Sequence, residues 1–380
     1  MTAAAGTAAT VTVSVRTLST DEHLAYLRSV PSASFLQTPA WGQVKAEWAH
    51  ESLGLYVGDA QVGAALVLYR RLPRLGRSLA YLPEGPVLDW DTPHLPRLLD
   101  ALVAHLRGRG AFGVRMGPPV VTRAWEAATV KAGLADPALH RLGDVPPDEV
   151  SESGRRLITL LAERGWRLQG EGEGFAAGQP RYNFWLPLGG RTEADVLAGM
   201  NQLWRRNIKK AAKAGVEVRQ GERIDLAQFH RIYVETAGRD GFTPRPLPYF
   251  QTMYDALNAE EPGRLRLYLA HHEGDLVAAT TLVQVGEHAW YSYGASTTGK
   301  REVRGSNAVQ WQMIRDALAS GASVYDLRGI TDTLDESDSH AGLVQFKAGT
   351  GGRAVEYAGE WDLPLSRPLY KAFELYLRHR

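Results

Sequence analysis

Apolar and polar positions alternate in the same way in two separate parts of the chain. Residues 55–59 (LYVGD) lead into 62–68 (VGAALVL), and residues 267–270 (LYLA) pass a Gly-Asp turn into 277–283 (VAATTLV). Short apolar runs joined by glycine and aspartate are typical of two strands connected by a tight turn. The pattern therefore predicts a strand pair in each half of the chain.

Each predicted strand pair is followed by the same further elements. Both halves then show a third strand, an amphipathic helix and a last strand, at 78–82, 95–107 and 110–116 and again at 289–293, 309–320 and 321–327. The helices carry apolar residues with a period near 3.6 and end near glycine. The same order twice predicts an α/β (α+β) protein with two duplicated domains, each a mixed sheet flanked by helices.

A glycine-rich segment separates the two repeats. Residues 170–180 (GEGEGFAAGQP) favour a linker, which predicts a first domain at 1–178 and a second domain at 179–357. An amphipathic helix at 368–380 is expected to return to the first domain, so that residues 358–380 complete it. Helices are also predicted between the repeats, at 121–133, 150–165, 192–214 and 225–237.

Composition excludes several kinds of site. Of 380 residues, 44% are hydrophobic and 22% are charged, which is ordinary for a folded protein with a real core. The net charge is only +1, so a basic partner site must be local. The absence of cysteine excludes disulfides, thiolate metal sites and a cysteine nucleophile. No signal peptide or apolar run of membrane-spanning length is present, so we expect a cytoplasmic protein without an integral membrane segment.

Metal sites and common hydrolase motifs are not indicated. His271 and His272 are adjacent, so on a strand their side chains would point to opposite faces. Residues 332–340 (DTLDESDSH) lack the ligand spacing and central glycine of a calcium loop. The sequence contains no G-x-S-x-G, Walker or H-E-x-x-H motif. We therefore expect no metal ion and no hydrolase of those types.

The predicted order of elements is that of the acetyltransferase (GNAT) fold, which uses acyl-coenzyme A. That fold holds the pyrophosphate with a Q/R-x-x-G-x-G/A turn at the start of a helix. Residues 301–308 (REVRGSNA) offer only Gly305, one position late, and the first repeat has no equivalent. The sequence therefore favours two tandem acetyltransferase-like domains that use no cofactor.

One predicted helix carries a dense local positive charge. Residues 204–213 (WRRNIKKAAK) contain no acid, and their cations share one flank of the helix. A stripe of this kind gives sequence-independent, salt-sensitive affinity for phosphates. It predicts a tRNA-binding surface, with a solvated helix face as the alternative. The cations are Arg205, Arg206, Lys209, Lys210 and Lys213.

Several motifs, taken in chain order, resemble the Fem (FemABX) family of non-ribosomal peptidyltransferases, which build peptidoglycan cross-bridges from aminoacyl-tRNA. The resemblance covers nearly the whole chain and depends on no single motif. In the first half the motifs are 35–41 (FLQTPAW), Val44 with Lys45, and 81–89 (YLPEGPVLD). In the second half they are 205–218 (RRNIKKAAKAGVEV), Arg245 with Tyr249, 291–295 (YSYGA), 343–347 (LVQFK), Gly351 with Gly352, and 359–364 (GEWDLP).

The resemblance implies a fold of twin acetyltransferase-like domains and a set of site residues. No long helical arm of the kind that some members insert appears between residues 192 and 258, so the chain resembles the armless branch. Phe346 and Lys347 match the acyl-transfer site, with Lys347 as the candidate for stabilising the transition state. The residues that match the binding site for the muramyl-peptide acceptor are Lys45, Arg245, Tyr249 and Tyr293.

The chain departs from the family pattern at two positions. Gly117 replaces an aspartate, so a general base cannot be assigned there. Thr350 replaces an aromatic residue and is expected either to alter the aminoacyl pocket or to repack a strand. Glu360 matches another carboxylate near the family's site, for which a structural role is an equal alternative.

The resemblance implies an enzyme that transfers an amino acid from aminoacyl-tRNA to the side-chain amine of a peptidoglycan stem peptide. The acceptor would be UDP-MurNAc-pentapeptide or its lipid-linked form, and a monomer is expected. Two alternatives remain open at this point. One is an N-acyltransferase that uses acyl-coenzyme A, and the other is a non-catalytic RNA-binding protein.

Overall fold

The computed structural model describes residues 11–72, 76–170, 178–335, 338 and 341–378. The strands are β1 (Val13–Thr17), β2 (Ala49–Val57), β3 (Ala60–Arg71), β4 (Ser78–Leu82), β5 (Val87–Leu88), β6 (Ala111–Met116), β7 (Val121–Glu126), β8 (Glu149–Val150), β9 (Arg167–Leu168), β10 (Tyr182–Pro187), β11 (Glu217–Gly221), β12 (Leu265–His272), β13 (Asp275–Val285), β14 (His288–Ser296), β15 (Val324–Ile330), β16 (Arg353–Tyr357) and β17 (Trp361–Pro364). The helices are α1 (Thr20–Ser29), α2 (Pro39–Val44), α3 (Leu95–Gly108), α4 (Ala127–Ala135), α5 (Glu152–Glu163), α6 (Glu193–Gly199), α7 (Gln202–Lys213), α8 (Leu226–Asp240), α9 (Leu247–Glu260), α10 (Gly305–Ala319), α11 (Ala341–Ala348) and α12 (Arg367–Arg378).

The strands form two mixed sheets. The first has the order β1-β2-β3-β4-β6-β17-β9, with β5 paired to β3, and the second has the order β11-β12-β13-β14-β15-β10-β16-β7-β8. In each sheet one pair is parallel, β4 with β6 and β14 with β15, and the intervening helix α3 or α10 makes the crossover. This confirms the predicted duplication of strand pair, third strand, helix and last strand.

Residues 121–133 differ from the sequence prediction, which placed a helix throughout. They begin with β7, which pairs with β16 of the second sheet, and only then enter α4. Trp125 is fully buried in the core of that sheet. The apolar positions of this stretch fit both the strand period and the helix period, so the spacing alone does not separate the two. β7 and β8, within residues 121–150, therefore belong to the second sheet, although they precede the predicted domain boundary at 178.

An apolar interface joins the two sheets. Phe35, from the segment before α2, packs edge-on against Trp41 of α2 and Trp290 of β14, with ring centroids 5.3 and 5.4 Å apart. The surrounding cluster also draws buried side chains from α1, β3, α9 and β13. Burial of large aromatic rings on both sides stabilises one fixed arrangement of the sheets. The predicted linker lies mostly outside the described residues, since only Gly170 and 178–180 of it are described.

Candidate functional site

The four residues predicted to bind the acceptor lie together at the margin of the interface between the sheets. Lys45 ends α2, Arg245 and Tyr249 lie just before and within the first turns of α9, and Tyr293 lies on β14. The Lys45 Nζ lies 5.4 Å from the centre of the Tyr249 ring, and the Arg245 guanidinium carbon lies 5.3 Å from it. The hydroxyls of Tyr249 and Tyr293 are 3.1 Å apart. We call these four residues the cation cluster.

The cation cluster is electrostatically prepared for an anion. Burial, and next the positive charge of Arg245, lower the pKa of Lys45, while the charge of Glu47 acts in the opposite direction. Within the described part of the chain, no carboxylate lies in ion-pair contact with either cation. Two like charges held close together repel each other unless a ligand supplies negative charge between them. Burial also raises the pKa of Tyr249 well above its usual value, so its phenol remains a hydrogen-bond donor.

Lys347 lies near the end of the helix α11. Its side chain is buried, with 3% of the residue exposed. The Nζ donates hydrogen bonds to the carbonyl oxygens of Gly329 at 2.7 Å and Arg328 at 3.2 Å, both at the end of β15. An ammonium has three N–H donors, so one remains for a further acceptor.

Burial lowers the pKa of Lys347 to about 7. The nearby carboxylate of Asp326 acts in the opposite direction, and the guanidinium of Arg328 adds to the lowering. A buried lysine costs folding free energy because its charged form loses hydration. Such a residue persists at a stability cost mostly where function requires it.

The depressed pKa makes a prediction for stability against pH. Between about pH 7 and 10.5 the unfolded chain binds a proton at Lys347 that the folded chain has lost, so the free energy of unfolding rises with pH in this window. Lys347→Met should remove that rise. The free energy of unfolding of the wild-type protein, relative to that of the variant, should therefore increase with pH. Chemical denaturation at about pH 7 and pH 9.5 measures this difference. Equal pH dependence in both proteins would contradict it.

Phe346 and Thr350 position the helix that carries Lys347. The Phe346 ring packs on Trp204 of α7 with centroids 4.7 Å apart, and the Trp204 indole N–H donates to the Phe346 carbonyl at 2.8 Å. The buried Thr350 hydroxyl donates to the Lys347 carbonyl at 2.6 Å. Thr350, where the resemblance led us to expect an aromatic residue, thus caps the end of α11 through its hydroxyl group.

A bridge between the sheets lies next to Lys347, and the sequence did not single it out. Arg328 of β15 donates from Nη1 to Oε1 of Glu84 at 2.7 Å and from Nη2 to Oε1 of Gln179 at 3.0 Å. Glu84 follows β4 of the first sheet, and its Oε2 accepts from the Ser34 hydroxyl at 2.6 Å. We call Glu84, Gln179 and Arg328 the interdomain bridge. Glu84 lies within the 81–89 motif, so that motif was the available signal.

Glu360 lies beside Gly117, the position at which the resemblance led us to expect an aspartate. A Cβ at Gly117 would lie 3.2 Å from the Glu360 Cγ. The Glu360 Oε1 accepts from the Tyr81 hydroxyl at 2.5 Å, and burial raises the pKa of its carboxyl group. Gly178, with φ of +99°, approaches Glu360 so closely that a Cβ there would overlap the carboxylate. A carboxyl group therefore remains near position 117, held by tyrosine and backbone.

The predicted tRNA-binding helix is α7, and most of its cations point into solvent. Arg205 is the exception, since its guanidinium donates to the Ala198 carbonyl at 2.8 Å and the residue is half-buried. The exposed cations follow the i, i+3, i+4, i+7 spacing of one helix face. We call them the basic face of α7, and they are Arg206, Lys209, Lys210 and Lys213.

Contacts connect the acyl-transfer segment to the cation cluster. The Arg328 guanidinium carbon lies 5.8 Å from the centre of the Phe35 ring, which packs on Trp41. Trp41 in turn lies 5.5 Å from the Nζ of Lys45. The basic face lies on the side of α7 opposite Trp204, the residue that packs against Phe346. The structure thus brings the acceptor and acyl-transfer candidates to one region around the interface, while the donor candidates face away from Phe346 on the neighbouring helix.

The described residues contain no group of three histidine or acidic side chains placed to hold a metal ion. They also contain no helix that is both long and apolar enough to cross a bilayer.

Two mixed sheets that each carry a helical crossover between their parallel strands, with a buried lysine beside their junction, define the class of tandem GNAT-like proteins. A profile of the FemAB family matches residues 18–262 and 268–378, and the chain belongs to this family. A curated relative is the lipid II:glycine glycyltransferase of Staphylococcus aureus (strain USA300), 24% identical over 94% of each chain.

Solved structures show the same architecture. The crystal structure of FemX superposes with a TM-score of 0.78 at 22% identity and covers 95% of this chain and 99% of its own. A tandem GNAT protein from the clavulanic acid biosynthesis pathway superposes with a TM-score of 0.52 at 13% identity, over 93% of this chain and 99% of its own. At these identities the likeness concerns the fold.

Proposed function

We propose that this protein is an aminoacyltransferase that moves an amino acid from aminoacyl-tRNA to the side-chain amine of the third residue in a peptidoglycan stem peptide. The observation that carries the proposal is the meeting of Lys45, Arg245, Tyr249 and Tyr293 in the cation cluster, although they come from both halves of the chain. Membership of the FemAB family and the similarity to a lipid II:glycine glycyltransferase support it.

The cation cluster would hold the diphosphate of the acceptor. A guanidinium presents a planar fork that matches phosphate oxygens, and a lysine adds a compact charge. The two phenol hydroxyls can donate to further phosphate or carboxylate oxygens. UDP-MurNAc-pentapeptide and its lipid-linked form share this diphosphate, and the relative's name, which refers to lipid II, favours the lipid-linked form. We also propose that the enzyme acts in the cytoplasm, where both substrates are found or are exposed, and that it acts as a monomer.

The donor would bind along α7. The basic face offers charges to the tRNA backbone, and its helix packs through Trp204 on Phe346, next to Lys347. The basic face points away from Phe346, so the acceptor end of a tRNA held there would have to extend around α7 to reach α11. No acyl-coenzyme A is required for this arrangement.

The proposed reaction is the aminolysis of an ester. The acceptor nitrogen bonds to the carbonyl carbon of the aminoacyl group, and the bond from that carbon to the ribose oxygen breaks. The amine loses a proton, and the ribose hydroxyl gains one. Lys347 would direct its third N–H to the oxyanion of the tetrahedral intermediate, which is worth about 3 kcal/mol for one well-placed donor. Positioning supplies the larger share of the rate enhancement, about 7–11 kcal/mol.

Lys45→Ala and Arg245→Ala should each raise the KM for the acceptor about tenfold or more with kcat little changed. Each loses a charge-assisted contact to the diphosphate, which is worth about 1.5–3 kcal/mol. Steady-state kinetics with saturating aminoacyl-tRNA measure the split. Arg155→Ala, on the exposed face of α5, is the matched control. An unchanged KM in both cluster variants would remove the cluster from acceptor binding.

The direct test of the proposed function is product analysis. The protein is incubated with a mixed aminoacyl-tRNA pool and either UDP-MurNAc-pentapeptide or lipid II, and the acceptors are weighed by mass spectrometry. A mass gain of one or more amino acid residues supports the proposal, and the better acceptor identifies the carrier. Acetylated product from acetyl-coenzyme A, with no tRNA-dependent product, would instead favour the N-acyltransferase alternative.

A further inference from the structure

The end of β15 is held in an unusual backbone conformation next to Lys347. Arg328 has φ of +62°, in the left-handed region that non-glycine residues rarely adopt. Glu84, its partner across the interface, also has a positive φ, of +46°. Residues persist in such conformations only where their surroundings fix them, and they are concentrated at functional sites.

Arg328 is fixed through its backbone as well as its side chain. Its N–H donates to Oδ1 of Asp326 at 2.6 Å, and its carbonyl accepts from the Nζ of Lys347 at 3.2 Å. Its guanidinium is clamped between Glu84 and Gln179. The ammonium of Lys347 therefore rests on a carbonyl whose residue is anchored to the other sheet.

We propose that Arg328 is a positioning residue: by bridging Glu84 and Gln179, its side chain fixes the end of β15, whose two carbonyls place the ammonium of Lys347. This role rests on the proposed function, because it matters for catalysis only if Lys347 contacts the reacting ester. It makes the geometry at Lys347 dependent on the docking of the two sheets. Acceptor binding at Lys45, which also lies at the interface, would then share one rigid frame with acyl transfer.

The interdomain bridge also sets the charge near Lys347. The charged groups that act on Lys347 are Asp326 and Arg328 of β15, and Glu84 opposes the charge of Arg328 from the first sheet. Removing Glu84 leaves the guanidinium charge opposed by Asp326 but no longer by Glu84, which should lower the pKa of Lys347. Removing Arg328 takes away the repulsive charge and should raise it. The two halves of one ion pair thus give shifts of opposite sign.

The test is to titrate Lys347 directly in the full-length protein. Lysine labelled with carbon-13 at Cε reports each ammonium by NMR, and the Lys347 signal is identified by its loss in Lys347→Met. Glu84→Gln should lower its pKa and Arg328→Gln should raise it, each by about one pH unit. Arg328→Lys keeps the charge but cannot bridge both partners, so its Lys347 pKa should stay near the native value while kcat falls.

The control is Asp225→Asn, which breaks the ion pair with Arg219 on the edge strand β11 of the second sheet and should leave the Lys347 titration unchanged. Simple loosening of the fold would expose Lys347 and raise its pKa in both bridge variants. A shift in the same direction in both, or no shift in either, would therefore overturn the positioning role. The titration needs no turnover, so a failure of the proposed function would appear separately, as full activity of Lys347→Ala.

Discussion

Replacing Lys347 by alanine is expected to lower kcat by about a hundredfold or more, while the KM for the acceptor stays near its native value. The ammonium is held by the Gly329 and Arg328 carbonyls, away from the cation cluster, so its loss should not weaken diphosphate binding. A donor that acts on the oxyanion acts only in the transition state, and its removal therefore changes kcat and kcat/KM together. Single-turnover kinetics with preformed aminoacyl-tRNA measure the chemical step.

The pH profile decides how Lys347 acts. Because the pKa of Lys347 is about 7, a role as a cation requires kcat to fall as pH rises above that value. A kcat that rises through pH 7 would show that the neutral amine is the active form. Lys371→Ala, an exposed lysine on α12, is the control for the loss of a lysine elsewhere. Native turnover in Lys347→Ala would exclude the residue from the mechanism altogether.

The repeated architecture was predictable because both copies bury their strands and helices in the same order. β2, β3, β4, α3 and β6 correspond to the first set of predicted elements, and β12, β13, β14, α10 and β15 to the second. Local periodicity failed at residues 121–126, where pairing with β16 rather than any local preference makes a strand. There tertiary contacts decide between two local structures.

The residues of the site were predictable only in part. The cation cluster and Lys347 came from matched motifs, and the structure brings the four cluster residues together. Arg328 and Glu84 are 244 residues apart in the sequence and belong to the two different halves of the fold. Neither their spacing nor their residue types predicts that they pair. The lowered pKa of Lys347 arises from burial beneath β15, which a sequence does not display.

Replacing the four cations of the basic face by glutamine should weaken tRNA binding roughly a hundredfold or more at physiological salt. The members of this face, Arg206, Lys209, Lys210 and Lys213, are exposed on one side of α7. Each cation that neutralises a phosphate contributes about 0.7–0.9 to the slope of log K against log salt, so the slope should fall by about three. Filter binding or fluorescence titration across a salt series measures both quantities.

A matched control separates local contact from the general effect of charge. Arg71, Arg107, Arg367 and Lys371 are exposed elsewhere, and their replacement by glutamine removes the same charge. If α7 contacts tRNA, only the basic-face variant loses the salt slope, whereas a purely global effect lowers it equally in both. The chemistry must be spared in either case: with tRNA at saturating concentration, kcat of the basic-face variant should recover, because Lys347 and its carbonyl partners lie on α11 and β15 rather than on α7. A solvated face without a partner would instead leave tRNA affinity, slope and KM unchanged.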